Sequence, residues 1–386
     1  EELLSSPPGG EAQLIGMKDN RVVRQPLMEL VEETREVARR VNAGDFSGAL
    51  ALRGPRFENN LRTLRTIVRA QAHTATPGQK RLNIALIHSG GPAPGMNTAV
   101  RATVRLALDQ GHRILGIRNG FRGFVEGDFH EMAWMSVNGW ASRGGAELGT
   151  NRRVPGDREL YSIARHIENE RIDAILMVGG WSGYQGIHKL RAERERFPAF
   201  DIPMICMPAS IKNNLPASET SIASDSALNS IVQAVDKIKQ SAVASNRCFV
   251  VEVMGRRCGY LALLGGLATG AERVYIHEEG VTLADLQRDL TSMVEGFRQG
   301  KRLGLVVRAE EANPLYTTPF MYALFEQEGG DLFDVRQAIL GHLQQGGDPS
   351  PFDRILATRF ADECVKYLVR EAESPTPDAV FIGVQE

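Results

Sequence analysis

The chain lacks most features that assign a class outright. Its 386 residues include four cysteines, Cys206, Cys248, Cys258 and Cys364, with no C-x-x-C pair and no zinc-ligand spacing. Three of them lie in or beside apolar runs, so they read as buried reduced thiols that behave as small hydrophobes. No apolar run approaches the ~18 residues of a membrane-spanning helix and no leader pattern is present, which gives the expectation of a soluble cytoplasmic protein with no membrane partner. With 45 basic against 47 acidic residues the net charge is −2, so no global field draws the chain to nucleic acid. No short internal repeat or low-complexity tract is evident. What is present is a globular composition, 42% hydrophobic and 24% charged, ample for a large core divided between two α/β lobes.

Residues 1–12 are polar and rich in Pro, Gly and Ser, which predicts a mobile tail. Leu14 to Val23 holds two apolar runs about a Lys-Asp-Asn turn, a strand hairpin, and Leu27 to Val41 follows with helical spacing and Pro26 at its start. A further helical stretch covers residues 57–70, and residues 73–80, with Thr-Pro-Gly and no apolar run, read as a linker. From about Arg81 short apolar strands alternate with helix-length segments. Strands are expected at residues 83–88, 114–117, 174–178, 204–207, 249–253, 274–276, 305–307, 338–340 and 380–383, with a helix over 225–242. Alternation of this kind predicts doubly wound, mostly parallel sheets flanked by helices, whose ligands gather beyond the carboxyl ends of the strands.

The loops after those strands therefore carry the functional reading. Ser89-Gly-Gly-Pro-Ala-Pro-Gly-Met-Asn97 opens a helix, and its glycines permit positive φ and close backbone approach to an anion; a tight turn without a ligand is the alternative. Val178-Gly-Gly-Trp-Ser-Gly-Tyr184 places Trp181, an apolar group, where a metal-binding acid would stand, and Mg²⁺ prefers oxygen ligands, so no metal is expected. Ala209-Ser-Ile-Lys-Asn-Asn-Leu-Pro216 contains no carboxylate at all. Val251-Glu-Val-Met-Gly-Arg-Arg-Cys-Gly-Tyr260 supplies Arg256 and Arg257, with Arg247 ahead of the strand; Arg308 and Glu310 follow Val307; Arg336 precedes Leu340-Gly-His-Leu-Gln-Gln-Gly-Gly347. Arginine forks bind phosphate through charge-assisted hydrogen bonds, and a carboxylate such as Glu310 can accept from sugar hydroxyls. Any one of these is more often a solvated surface group. Several at successive strand ends point to a phosphate-bearing ligand, because the topology brings those ends together.

With these motifs assembled, residues 81–386 resemble an ATP-dependent 6-phosphofructokinase, specifically the C-terminal half of the tandem eukaryotic-type enzyme. In that family the N-terminal half catalyses phosphoryl transfer to fructose 6-phosphate in glycolysis, and the C-terminal half serves as an allosteric receptor. The resemblance implies a layout of tail and hairpin ending a preceding half over 1–24, helical connector and linker over 25–80, a first α/β lobe over 81–222, a second over 223–342, and a return segment to the first lobe over 343–386. It also implies a fragment of a longer polypeptide, with one effector-contacting arginine expected beyond residue 386.

In competent relatives the glycine pair of the second loop precedes a Mg²⁺-binding aspartate, matched here by Trp181. The general base lies in a Thr-Ile-Asp-Asn-Asp run aligned with Ser210-Ile-Lys-Asn-Asn214, so Lys212 replaces the base and Asn214 the second aspartate. An ammonium cannot abstract a proton, and loss of a general base removes about 10²–10⁴ in rate. The resemblance then implies no catalytic residue and no metal in this chain, with ATP and Mg²⁺ belonging to the catalytic half of the same polypeptide. It implies a fructose 2,6-bisphosphate pocket from Arg152, Ser210, Ile211, Lys212, Asn213, Asn214, Arg247, Met254, Gly255, Arg256, Glu310, Arg336, His342, Leu343, Gln344 and Gln345. Within that set Arg247 and Arg336 would reach a phosphate across a subunit or half boundary, which implies a homo- or hetero-oligomer. Arg101, Arg105 and Lys239 match a separate anion-effector site, with solvated helix charges as the alternative. Lys212 and Arg256 depart from the family, whose regulatory halves often have a small neutral residue and a second glycine there.

Two other readings stand beside this one. A self-sufficient kinase with a rearranged site needs a new base and new metal ligands, and Asp225 and Glu252 are the nearest acids in sequence. A scaffold that has lost every ligand is the third.

Overall fold

The computed structural model describes residues 12–18, 21–76 and 78–385, and they fall into two units, divided between Ala70 and Gln71. The tail expected over 1–12 and the Asp-Asn of the hairpin turn lie outside the described residues, apart from Ala12. The first unit holds an antiparallel hairpin, β1 (Gln13–Lys18) and β2 (Arg21–Pro26), then α1 (Leu27–Asn42), α2 (Phe46–Leu52) and α3 (Pro55–Arg69). Pro26 caps α1 and Pro55 opens α3, where a missing N–H costs nothing.

The second unit carries the rest. It contains β3 (Asn83–Ser89), α4 (Met96–Asp109), β4 (Arg113–Ile117), α5 (Gly120–Glu126), β5 (Phe129–Glu131), α6 (Leu160–Glu170), β6 (Ala174–Gly179), α7 (Trp181–Ala192) and β7 (Met204–Pro208). There follow α8 (Ser224–Val243), β8 (Arg247–Val253), α9 (Tyr260–Thr269), β9 (Arg273–Tyr275), α10 (Leu283–Arg298), β10 (Leu303–Ala309), α11 (Thr318–Gly329), β11 (Asp334–Ile339), α12 (Pro351–Glu371) and β12 (Ala379–Phe381). One sheet has the order β12-β7-β6-β3-β4-β5, parallel except for the short β5; the other has the order β11-β8-β10-β9 and is parallel throughout. The expected α/β fold with two mostly parallel sheets flanked by helices is therefore the observed one. The chain reverses direction about β3 in the first sheet and about β8 in the second, so a crevice opens beyond the carboxyl ends of both.

Central strands were readable because both faces are buried. Ile84–Ile87 and Ala174–Val178 are almost wholly inaccessible, and each such aliphatic side chain contributes about 1.5–3 kcal/mol of burial. Two edges differ from expectation. β11 begins at Asp334, four residues before the expected start at 338, because an edge strand exposes alternate positions and reads as Asp-Val-Arg-Gln rather than as an apolar run. The antiparallel β5 has no apolar run either. Within the stretch expected as linker, His73 N–H donates to Leu108 O and Lys80 Nζ to Ala372 O. Cys206, Cys248 and Cys364 are buried, Cys258 is half-buried, and all four are free thiols; burial pushes Cys248 up to about 12. No helix among the described residues is long and apolar enough to cross a membrane.

Candidate functional site

The crevice is a cavity of about 440 Å³ built from loops that leave the carboxyl ends of β3, β6, β7, β8 and β10, closed by the turn after β11. Its floor is the meeting of two glycine loops. Gly180 N–H donates to Ser89 O, and Gly90 has φ +124 with room for no side chain, since a Cβ there would lie 3.1 Å from Gly180 N. Asn97, fully buried, ties the first loop down: its Nδ2 donates to Gly144 O at 2.9 Å and its Oδ1 accepts Glu147 N–H at 2.8 Å. His88, beneath the loop, is fully buried with neither ring nitrogen in hydrogen-bonding geometry, and burial, offset in part by the Met96 main chain, lowers it to about 4.

Of the residues expected in the pocket, Arg152, Ser210, Ile211, Lys212, Asn214, Met254, Arg256, Glu310, His342 and Gln345 do line the cavity. Glu310 sits at its centre of charge. Oε1 accepts Lys212 Nζ at 3.2 Å, Gly255 N–H at 3.1 Å and Arg256 N–H at 3.0 Å. Burial disfavours its charge, yet the Gly255 amide, the Lys212 ammonium and the Arg256 amide outweigh that and hold the carboxyl below its ordinary range. Ser210 Oγ donates to Asn214 Oδ1 at 3.1 Å and accepts Lys212 N–H at 3.3 Å, fixing the loop that carries the lysine. The Arg152 and His342 side chains make no hydrogen bond or ion pair among the described residues, and Arg256 reaches only the exposed Glu311 at 3.1 Å. The lining thus sets two arginines and a lysine against one carboxylate.

Six expected residues do not line the cavity, four of them in the loops that build it and two within strands. Asn213 faces away, its carboxamide donating to Glu219 O and accepting Ser221 N–H, which stabilises its own φ of +48. Gly255 contributes only its amide, Gln344 is buried with Oε1 accepting Met254 N–H, and Leu343 is exposed. Arg247 opens β8 and Arg336 is the third residue of β11, paired with Phe249, so both come before the carboxyl ends where Met254 follows β8; Asp334 pairs with them at 3.9 and 3.5 Å. Arg308, also read as a strand-end group, is inside β10 and buried, its Nη1 donating to Glu252 Oε2 at 2.6 Å and Thr318 Oγ1 at 2.7 Å.

Sequence reasoning left Gly90, Gly91, Pro92, Ala93, Gly180, Trp181, Ser182, Gln185 and Ala209 out of the pocket, though all line it. The glycine loops were visible as phosphate cradles; Gln185, one helical turn after Trp181, was discoverable from that spacing alone. Trp181 is about half exposed on the cavity wall. With an indole there and the single lining carboxylate committed to three donors, the donor set does not suit Mg²⁺, and no cluster of three metal-ligating side chains occurs among the described residues.

The structure brings together two of the three residues expected at a second anion site. Arg101 and Arg105 are adjacent on α4; burial and then the Arg105 charge lower Arg101, while Arg105 lies 4.5 Å over the Trp134 ring. Lys239 is occupied, donating to Thr269 O at 2.8 Å, and no bond joins it to either arginine among the described residues.

Residues 83–368 match the family model described as Phosphofructokinase. The ATP-dependent 6-phosphofructokinase of Dictyostelium discoideum is 46% identical over 356 residues, 92% of this chain and 42% of that protein. The platelet-type enzyme of Mus musculus is 41% identical over 371 residues, 95% of this chain and 47% of that one. The solved phosphofructokinase from Saccharomyces cerevisiae superposes with a TM-score of 0.92 at 37% identity, covering 100% of this chain and 52% of its own. The chain spans about half the length of the curated relatives it matches.

Proposed function

The chain belongs to the phosphofructokinase family, and from that premise we propose that it is the C-terminal, regulatory half of an ATP-dependent 6-phosphofructokinase, in which a former active site receives fructose 2,6-bisphosphate. The observation that carries the reading is the Lys212–Glu310 ion pair inside the cavity. By the resemblance, Lys212 stands for the family's hydroxyl-activating carboxylate and Trp181 for its metal-binding acid, while Arg152, Arg256 and His342 leave the walls suited to phosphate. Catalysis, with its ATP and Mg²⁺, is assigned to the other half of the polypeptide. Arg247 and Arg336, set away from this cavity, fit a role toward a neighbouring half or subunit, and so an oligomer.

The alternative kinase reading loses both of its candidate acids. Glu252 is committed to Arg308 and Thr318, Asp225 sits in the first turn of α8 beside Asn229, and neither lines the cavity.

Calorimetric titration of the 386-residue chain tests the proposal. Fructose 2,6-bisphosphate is expected to bind, and Arg152→Ala to weaken it by about tenfold or more, the scale of a charge-assisted phosphate contact. Turnover of fructose 6-phosphate with Mg-ATP by this chain alone, or absence of any sugar-phosphate binding, overturns it.

A further inference from the structure

Lys212 differs from the other cations of the cavity in having a carboxylate partner within it. The dependence between the two is one-sided. Glu310 Oε1 keeps two main-chain donors, Gly255 N–H and Arg256 N–H, whether or not the lysine is there, and Oε2 has no hydrogen-bond partner among the described residues. Among the described residues Lys212 Nζ has only Glu310. The loop does not rest on this side chain either: the Lys212 main chain is fixed by its N–H to Ser210 Oγ and by Cys258 Sγ donating to Lys212 O at 3.2 Å.

Both members of the pair are about three-quarters covered, at 22% and 26% exposed, so the loss of hydration offsets much of their mutual attraction and the pair is only weakly held. A phosphate dianion offers the ammonium more charge than a carboxylate oxygen already shared among three donors, so exchange of partners is favourable. Lys212 follows β7 of the six-stranded sheet and Glu310 follows β10 of the four-stranded one, so the ammonium stands between the two walls of the cavity.

Resting on the receptor reading above, we infer that Lys212 is a specificity-determining residue of this chain, one that adds to the selection of a ligand with a second phosphate. The second phosphate of a sugar bisphosphate draws Nζ away from Glu310, whose Oε1 stays on its two amides and whose Oε2 accepts from a ligand hydroxyl. A monophosphate carries a neutral hydroxyl in that place and leaves the pair closed. Lys212 therefore adds nothing to monophosphate binding, and all of its contribution falls on the bisphosphate.

The test is calorimetric titration of the full chain with fructose 2,6-bisphosphate and with fructose 6-phosphate, for the unaltered protein, Lys212→Ser and Lys212→Arg. Lys212→Ser is expected to lose roughly 10- to 100-fold in bisphosphate affinity, with monophosphate affinity changed by less than about threefold. Lys212→Arg, which keeps the charge, retains the preference for the bisphosphate. Raising the salt should narrow the preference in the unaltered protein and leave it flat in Lys212→Ser. Equal losses for both ligands would make the lysine a mere clamp on Glu310 and overturn the inference, as would no loss for either. Binding of both ligands by the unaltered protein without preference would overturn it while leaving the receptor reading in place. Binding of neither would overturn both.

Discussion

Both ends of the parallel strands in the larger unit carry basic and acidic side chains, and the two ends use them differently. At the carboxyl ends, Lys212 with Glu310, Arg308 with Glu252 and the lone His88 are half-buried or buried. Toward the amino ends, Asp334 and Arg336 are about half exposed and Arg247 about a quarter, no more open than the Lys212–Glu310 pair, and Asp334 meets the two arginines at 3.9 and 3.5 Å. Crossover loops converge beyond the carboxyl ends and make a concavity, where a charge without a partner is costly; toward the amino ends Asp334 and Arg336 keep about half of their side-chain surface open to solvent. Being near a strand end is therefore not enough to place a residue in the site. Which end matters more than how near.

The comparison is most exposed to failure at Glu252. Replacing it with Ala leaves Arg308, 2% exposed, with Thr318 alone, and unfolding by denaturant should show a loss of about 3–5 kcal/mol. A loss under about 1 kcal/mol, the range of exposed pairs, would erase the distinction between the two ends.

His88 provides the next largest effect. Its ordinary value is 6.5 and its folded value about 4, so between those pH values the unfolded chain binds the proton and the folded chain does not. Stability is then fully present above pH ~6.5 and falls by about 3 kcal/mol as pH drops toward 4. Comparing the pH dependence of unfolding for the unaltered protein and His88→Leu isolates this contribution; identical slopes in that window would refute it.

Arg336→Ala sharpens the contrast in binding. Where the chain is monomeric by sedimentation, fructose 2,6-bisphosphate affinity should change by less than about twofold, and a loss of about tenfold should emerge only once chains associate. A large loss in the monomer would mean that the amino ends serve the same cavity after all. The smallest effect belongs to Asp334→Ala, expected to cost less than about 1 kcal/mol and to fade in high salt.

The same contrast explains what the sequence made legible. Strands β3, β6 and β7, buried on both faces, announced themselves as apolar runs, and so did the parallel sheets and the loops that follow them. β11 hid its start because an edge strand is written in polar residues, and that obscured where Arg336 stands. The basic lining was readable as a set. The roles of Asn213 and Gln344 were not, because a carboxamide in a tight loop can bond either a ligand or its own main chain, and here both bond main chain. Glu310 was readable as an acceptor, but its partnership with Lys212, 98 positions away, depends on two sheets meeting.

Trp181 gives the cavity an optical property. Its indole is one of three in the chain and stands half in water on the cavity wall, whereas Trp134 is covered by the Arg105 guanidinium. A molecule that fills the cavity strips solvent from Trp181 first, so emission should shift to the blue or change in intensity in proportion to occupancy. The residue that spoils the pocket for a metal also makes its filling visible without a label.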